Sequence, residues 1–168
     1  MSSEIDFQPL TLNDLDEVLH NFKVAAHKIA LKKVDHWQYW IDPPLHKINW
    51  VKEGLRNTEY HRIFLQNHEV GMVRILLEDE LYWGKQQATA MYLHSLIVFD
   101  QYNGRGLARQ IMEAIKVKAK IDRRQFLRLD ADVKNQALCK LYQDMGFKKV
   151  GVVHHTISSY QLMEMKVN

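Results

Sequence analysis

The stretch "FDQYNGRGLARQIM", residues 99–112, carries two glycines between an apolar run and a helical pattern. The preceding run, 91–99, is too short to span a membrane and ends in turn residues, which is typical of a buried central strand. A glycine turn that joins a strand to a helix directs backbone N–H groups and the helix dipole at one point. The segment therefore predicts a phosphate or pyrophosphate site, with an ordinary glycine turn as the alternative.

The spacing of this loop separates three kinds of phosphate site. A P-loop requires Lys and then Ser or Thr directly after its second glycine, whereas Leu107 and Ala108 follow Gly106. A dinucleotide fingerprint requires Gly or Ala where this chain has Arg109, although Asp130 lies roughly twenty residues further on, as a ribose contact would. The spacing thus disfavours hydrolysis of nucleoside triphosphates, and a nicotinamide-binding protein fits poorly.

The hydropathy pattern predicts one α/β domain over residues 1–168, with the order β-α-α-β-β-β-α-β-α-β-β. Its length suits a single ordinary domain. The predicted elements are a strand at 4–10, two helices on either side of Pro43 and Pro44, hairpin strands at 59–66 and 69–77 with their turn at Asn67 and His68, the central strand at 91–99, a helix from Leu107, a strand at 125–133, a helix between Asn135 and Gly146, and strands at 147–153 and 157–167.

Composition restricts the class of protein. Apolar residues make up 46% and charged residues 26%, as in ordinary globular chains. The single cysteine, Cys139, allows no internal disulfide and no cysteine cluster for zinc, and we expect it to be a small buried residue. The charge of +3 is spread along the chain and gives no support for nucleic-acid binding. The start of the chain lacks a secretory signal pattern and no long apolar run follows, so we expect a cytoplasmic protein without a membrane partner.

The loop resembles the coenzyme A loop of the GNAT superfamily of N-acetyltransferases, whose pattern is Gln or Arg, two residues, Gly, one residue, then Gly or Ala. Residues 103–108 match it with Gly106 and Ala108, although Asn103 stands where Arg or Gln is usual. Gln101 begins a literal match two residues earlier, but the distance from Val98 favours the later register.

A second segment strengthens the resemblance. "DADVKNQALCKLYQDMGF", residues 130–147, resembles the family's second cofactor segment, in which Asn135 opens a helix, Tyr142 follows, and Gly146 ends it before Phe147. Because the two motifs are correctly separated and the element order covers the whole chain, the protein is identified as a suspected GNAT N-acetyltransferase.

The resemblance implies the acyl-CoA N-acyltransferase fold: a mixed, mostly antiparallel sheet of about seven strands with splayed central strands, flanked by about four helices. It implies acetyl-CoA as cosubstrate and no metal. The pantetheine arm would lie between the central strand and "QFLRLDA", residues 125–131. The cofactor-binding residues implied by the resemblance are Leu96, Ile97, Val98, Asn103, Gly104, Arg105, Gly106, Leu107, Ala108, Arg109, Asn135 and Tyr142.

The implied reaction is direct transfer of an acetyl group to a primary amine of a small molecule or peptide. The backbone N–H near Val98 would stabilise the oxyanion, and Tyr142 would protonate the leaving thiolate as general acid. His94 is the predicted base because strand alternation puts it on the face of Leu96, although a histidine packed in the sheet fits the pattern as well. The carboxylates that could replace it as base are Glu78, Glu80, Asp130 and Asp132.

The acceptor pocket would lie among the aromatic residues outside the two motifs, namely Trp37, Trp40, Tyr82 and Trp83. Core packing or a dimer surface would explain the same residues, and a homodimer is compatible with this aromatic content. The alternative to an enzyme is a non-catalytic module of the same fold that binds acyl-CoA as a sensor.

Overall fold

The structure is a computed structural model that describes residues 4–168, so residues 1–3 of the predicted domain lie outside it. The strands are β1 (Ile5–Pro9), β2 (Tyr60–Leu65), β3 (His68–Leu76), β4 (Ala90–Val98), β5 (Phe126–Asp132), β6 (Lys148–His154) and β7 (Ser159–Lys166). The helices are α1 (Leu15–Leu31), α2 (Leu45–Arg56), α3 (Glu80–Trp83), α4 (Leu107–Ile121) and α5 (Gln136–Asp144). Within residues 4–168, no helix has the length and apolar character to cross a membrane.

The seven strands form one sheet in the order β1-β2-β3-β4-β5-β7-β6. All neighbouring strands are antiparallel except β4 and β5, which are parallel. The predicted order of strands and helices is confirmed, with the addition of the four-residue helix α3. The hairpin turn is one residue earlier than predicted, because Gln66 and Asn67 adopt the positive φ angles of 49° and 68° that a two-residue hairpin loop requires.

Helices cover both faces of the sheet and divide the core in two. Ile111 and Ile115 of α4 are fully buried in one cluster with strand residues such as Leu127. On the other face, Phe22 of α1 stacks on Trp40 with ring centroids 4.1 Å apart. Because apolar side chains are buried on both faces, the central strands have the continuous apolar pattern that the sequence shows at 91–99.

Local signals fix the helix starts that matter for the site. The Asn135 side chain accepts a hydrogen bond from the Leu138 N–H at 3.2 Å, which caps α5 as predicted. Gly106 precedes α4 with φ +70° and provides no side-chain cap. The first turn of α4 therefore begins with backbone N–H groups that no side chain of the N-cap residue satisfies.

The central strands separate halfway along their length. β4 and β5 pair only from Ala90 opposite Phe126 to Leu93 opposite Leu129, yet β4 continues to Val98 and β5 to Asp132. The splay expected from the resemblance is thus present. It leaves a gap lined by the backbone edges of two strands.

A bulge in β4 lies at the start of this gap. Val73 of β3 faces both Ser95 and Leu96, and Ser95 has a φ of +55°. The prediction that His94 and Leu96 share a face is therefore wrong, because the extra residue interrupts strand alternation. His94 lies beside Trp50 of α2, whereas Leu96 packs into the cluster under α4 and α5.

The strand opposite the bulge requires a glycine. A Cβ atom at Gly71 would lie only 2.0 Å from the carbonyl oxygen of Ile97. This contact is with backbone, which cannot rotate away, so β3 and β4 reach their spacing here only because position 71 has no side chain.

Candidate active site

The gap between β4 and β5 opens into a cavity of about 730 Å³ that reaches both helix layers. It is lined by parts of α1, α2, α4 and α5, and by the splayed ends of β4 and β5. Of the predicted site residues, the cavity brings together His94, Leu96, Ile97, Val98, Asn103, Ala108, Asp130, Asp132, Asn135 and Tyr142. Glu78, Glu80, Gly104, Arg105, Gly106, Leu107 and Arg109 are not part of this lining.

The glycine loop lies at the end of the cavity where Asn103 and Ala108 contribute to the wall. Gly104 and Gly106 have φ angles of +75° and +70°, and no heavy atom lies within 4 Å of a Cβ built on either. The Asn103 side chain donates to the Asp100 carboxylate at 3.1 Å. The loop thus presents backbone to open space beside the positive end of α4, which is a geometry suited to a phosphate group.

The exposed edge of β4 has a defined hydrogen-bonding direction. The Phe99 N–H donates to the Val70 carbonyl of β3 at 2.8 Å. Since successive N–H groups of a strand point to opposite sides, the N–H of Val98 points into the gap. This edge can pair with an extended ligand or donate to an oxygen atom.

His94 lies between two carboxylates. Its Nε2 is 2.7 Å from Asp79 Oδ2 and its Nδ1 is 3.3 Å from Asp130 Oδ1. Burial alone would lower the pKa of His94, but attraction to Asp130 and the hydrogen bond to Asp79 outweigh it, so that the pKa is raised. Both ring nitrogens therefore face acidic partners.

Asp130 is the member of this group with an unused oxygen. Its Oδ1 is buried and has no aligned hydrogen bond among the described residues, because the contact with His94 has ion-pair distance but poor direction. Burial raises the pKa of Asp130 to about 6, and the nearby charge of Asp79 adds to this against the attraction of His94. A carboxylate with this pKa can accept a proton near neutral pH.

The other proposed carboxylates have different surroundings. Glu78 and Glu80 are exposed. Asp132 accepts hydrogen bonds from the Ser158 hydroxyl and the Lys134 N–H, both at 2.9 Å. Among the acidic residues, sequence reasoning missed Asp79, which lies between Glu78 and Glu80 in the sequence but is buried, and which caps α3 by accepting from the Tyr82 N–H at 3.4 Å. Its only sequence signal is a capping position before the short segment "ELYW".

Asp79, His94 and Asp130 are also residue types that bind metal ions. Asp79, His94 and Asp130 form the one group in residues 4–168 whose potential ligand atoms lie within 4.8 Å of one another. However, the carboxylates lie against different nitrogens of one ring. Because a histidine offers one nitrogen to a given metal ion, the arrangement is better suited to moving protons than to coordinating a cation.

Tyr142 lies on α5 in the opposite wall and is only 8% exposed. Burial raises the pKa of Tyr142, and the negative charge of Asp130 adds to the effect. Its hydroxyl is therefore a proton donor at neutral pH. Cys139 on the same helix is buried as predicted, and burial raises the pKa of its thiol, which makes it a poor nucleophile.

Aromatic side chains form the wall near α1 and α2. Trp37, Trp40 and Tyr82 line the cavity, as expected. Trp83 does not; it packs on Tyr92 and lies 4.8 Å from the Arg128 guanidinium, in a separate cluster. The cavity wall also contains aromatic residues that the sequence did not single out, namely Tyr39, Trp50 and Tyr160.

A buried arginine packs against the Trp50 ring. The Arg74 guanidinium lies 3.9 Å from the Trp50 ring centroid, and its Nη2 pairs with Glu59 at 2.6 Å. Since Arg74 is only 3% exposed, this ion pair is part of the core rather than of the surface. The Arg74–Glu59 pair therefore fixes the position of Trp50 in the aromatic wall of the cavity.

Comparison with known proteins identifies the group to which this architecture belongs. The chain matches the model of the Acetyltransferase (GNAT) family over residues 27–147. A curated relative, described as the uncharacterised N-acetyltransferase YesJ of Bacillus subtilis, is 26% identical over 111 residues, which cover 62% of this chain and 60% of that protein. The match thus spans less than two thirds of the relative's length.

Solved structures share the fold at low sequence identity. A GNAT-family acetyltransferase of Streptococcus agalactiae has a TM-score of 0.76 at 16% identity, covering 96% of this chain and 95% of that one. The spermidine N-acetyltransferase of Vibrio cholerae, in complex with CoA and spermine, has a TM-score of 0.63 at 16% identity, covering 98% and 96%. These likenesses establish the fold.

Proposed function

This chain belongs to the acetyltransferase (GNAT) family, and from that premise we propose that it transfers the acetyl group of acetyl-CoA to a primary amine of a small molecule or peptide. The observation that carries the proposal is the splay of β4 and β5, which opens one cavity between Tyr142 on one side and the His94–Asp130 pair on the other. A thioester laid along this gap would meet a proton donor and a proton acceptor together.

The residues around the gap suit the cosubstrate. The loop from Asn103 to Arg109 would bind the pyrophosphate through backbone N–H groups and the α4 dipole. The edge formed by Leu96, Ile97 and Val98 would pair with the amides of the pantetheine arm, as a neighbouring strand does. Asn135 would act through its cap of α5, which fixes the position of the helix that carries Tyr142.

The proposed chemistry requires two protons to leave the amine nitrogen. Asp130, supported by His94, takes one proton from the ammonium so that the nitrogen lone pair attacks the thioester carbonyl carbon. The Val98 N–H stabilises the oxyanion that forms. The C–S bond then breaks, Tyr142 protonates the departing thiolate, and the second nitrogen proton replaces the one that Tyr142 lost.

The geometry shifts the role of base from His94 toward Asp130. Both His94 nitrogens face carboxylates, whereas Asp130 has a buried oxygen without an aligned partner among the described residues. We therefore assign proton removal to the Asp130–His94 pair, with Asp79 as the residue that orients the imidazole. This assignment retains His94 in the site, while Asp130 contacts the amine.

Release of free CoA thiol tests the proposal. The purified chain, acetyl-CoA and a panel of primary amines should give thiol only when protein and amine are both present. Tight binding of acetyl-CoA with no thiol release from any amine would support the alternative, a non-catalytic acyl-CoA sensor. Failure to bind acetyl-CoA would overturn both readings. The expected homodimer remains a prediction that sedimentation velocity can examine.

A further inference from the structure

The charged and aromatic residues on the acceptor side of the cavity limit which amines can bind there as acetyl acceptors. We propose that the acceptor is a compact monoamine with an apolar or aromatic body, and that amines with a second positive charge are poor substrates. This inference rests on the proposed acetyl transfer, because it concerns the acceptor of the same site.

Asp130 is the carboxylate of the cavity that is best placed to receive the amine. Among the described residues that line it, the acidic ones are Asp100, Asp130 and Asp132. Asp100 pairs with Lys28 at 2.8 Å, and Asp132 accepts hydrogen bonds on Oδ1 from the Ser158 hydroxyl and the Lys134 N–H. Asp130 alone retains a buried oxygen without an aligned hydrogen bond. Since a buried ammonium requires an anionic partner, Asp130 fixes where the reacting amine is held.

Aromatic rings surround the histidine that lies beside this carboxylate. Tyr82 and Trp50 lie with their centroids 5.1 Å and 6.2 Å from that of His94. Tyr160 extends the wall from Tyr82 at 5.3 Å, and Trp40 extends it from Trp50 at 6.3 Å. The atoms next to the amine therefore meet aromatic faces, which favour an apolar body and a single nearby cation.

The side chain of Lys47 places a positive charge in the same aromatic wall. The Lys47 ammonium lies 4.5 Å from the centroid of Tyr39, a cavity residue, and Lys47 itself lines the cavity. No carboxylate of residues 4–168 lies within ion-pair distance of Lys47. A second ammonium on the acceptor would be repelled there, whereas a neutral or anionic group would be accepted.

A pair of amines of equal length isolates the second charge. We expect kcat/KM, measured by thiol release, to be about tenfold or more higher for hexylamine than for 1,6-diaminohexane, with phenethylamine among the good acceptors and spermidine among the poor ones. Equal or better turnover of the diamine and spermidine would overturn the inference while leaving acetyl transfer intact.

Binding gives a readout that does not depend on turnover. Trp37, Trp40 and Trp50 line the cavity, so tryptophan fluorescence should change more at a given concentration of hexylamine than of the diamine. Equal responses to the two amines, or none, would contradict the inference even if no thiol were released. Failure of thiol release with every amine would instead count against the proposed enzyme.

A charge reversal identifies the residue responsible. Lys47→Glu should reduce the preference for hexylamine over the diamine about tenfold. Lys52→Glu makes the same charge change on α2 at a position outside the cavity lining and should leave the preference unchanged. Equal effects of the two variants would attribute the preference to net charge and not to Lys47.

Discussion

Tyr142 and Tyr60 are both buried tyrosines with different surroundings. Tyr142 faces the cavity, whereas the Tyr60 hydroxyl is enclosed in the core without a hydrogen-bond partner among the described residues. Tyr142→Phe should lower kcat about 100-fold with little change in the Kd for acetyl-CoA, because only protonation of the leaving group is lost. Tyr60→Phe is the control and should keep both kcat and Tm. Unchanged turnover in Tyr142→Phe would remove Tyr142 from the reaction.

Asp130→Asn should separate activity from stability. Removing the proton acceptor should lower kcat/KM about 100-fold or more and abolish its rise near pH 6. A wild-type profile without that rise, or an active variant, would contradict the assignment. Asp122→Asn, which changes an exposed carboxylate at the end of α4, is the matched control.

The same substitution should change the pH dependence of stability. The pKa of Asp130 is raised from 3.8 to about 6 in the folded chain, so its contribution to the free energy of unfolding is present below pH 3.8 and is lost as pH rises through 6. Asparagine cannot lose a proton. The Tm of Asp130→Asn minus that of wild type should therefore increase from about pH 4 to about pH 7.

Some site residues can be predicted from local sequence motifs and others cannot. The sequence predicted that Asn135 begins α5 and that Tyr142 lies on that helix, because each residue has a fixed place in a local motif. Asp79 could not be predicted, because its importance comes from a contact with His94 fifteen residues away. Burial decided among neighbouring acids of similar appearance, and burial depends on tertiary packing.

The elements β3 and β4 form the tightest contact described around the gap. Gly71→Ala would place a methyl group against the Ile97 carbonyl, and we expect it to lower the free energy of unfolding by about 3 kcal/mol, measured by urea titration. Gly151→Ala is the matched control on β6, where the nearest atom would be Leu162 Cδ1 at 3.8 Å and the expected change is within about 0.5 kcal/mol. Equal stabilities would show that the strands separate without cost.

Elements with strong periodicity could be predicted, and the exceptions have physical reasons. α4 and α5 have clear apolar faces and capping signals. α3 has four residues, too few to show a helical period. The β4 bulge lies at Ser95, next to His94, and two polar residues within an apolar strand do not distinguish a bulge from regular alternation. The faces of residues after Ser95 therefore could not be inferred by alternation.

At the scale of the whole molecule, the gap lies between two halves of the sheet. These halves are joined only by the parallel pairing of β4 and β5, which covers four positions. A ligand that fills the gap adds contacts across this seam and should stabilise the chain as a whole. Acetyl-CoA at about 100 times its Kd should raise the free energy of unfolding by about 2.7 kcal/mol, seen as a higher Tm. NAD and ATP should produce no comparable shift, and a shift with NAD alone would contradict acetyl-CoA binding.

The crowded contact between Gly71 and Ile97 also constrains how such a sequence can change over generations. A larger residue at position 71 becomes tolerable only if the backbone of β4 moves away from β3. Loss of the extra residue at Ser95 would make His94 and Leu96 direct neighbours, which strand alternation keeps on opposite faces, so the bulge itself could be lost without moving His94 to the face of Leu96. In descendants that remain active, position 71 is therefore expected to stay glycine whether or not the extra residue of β4 is kept.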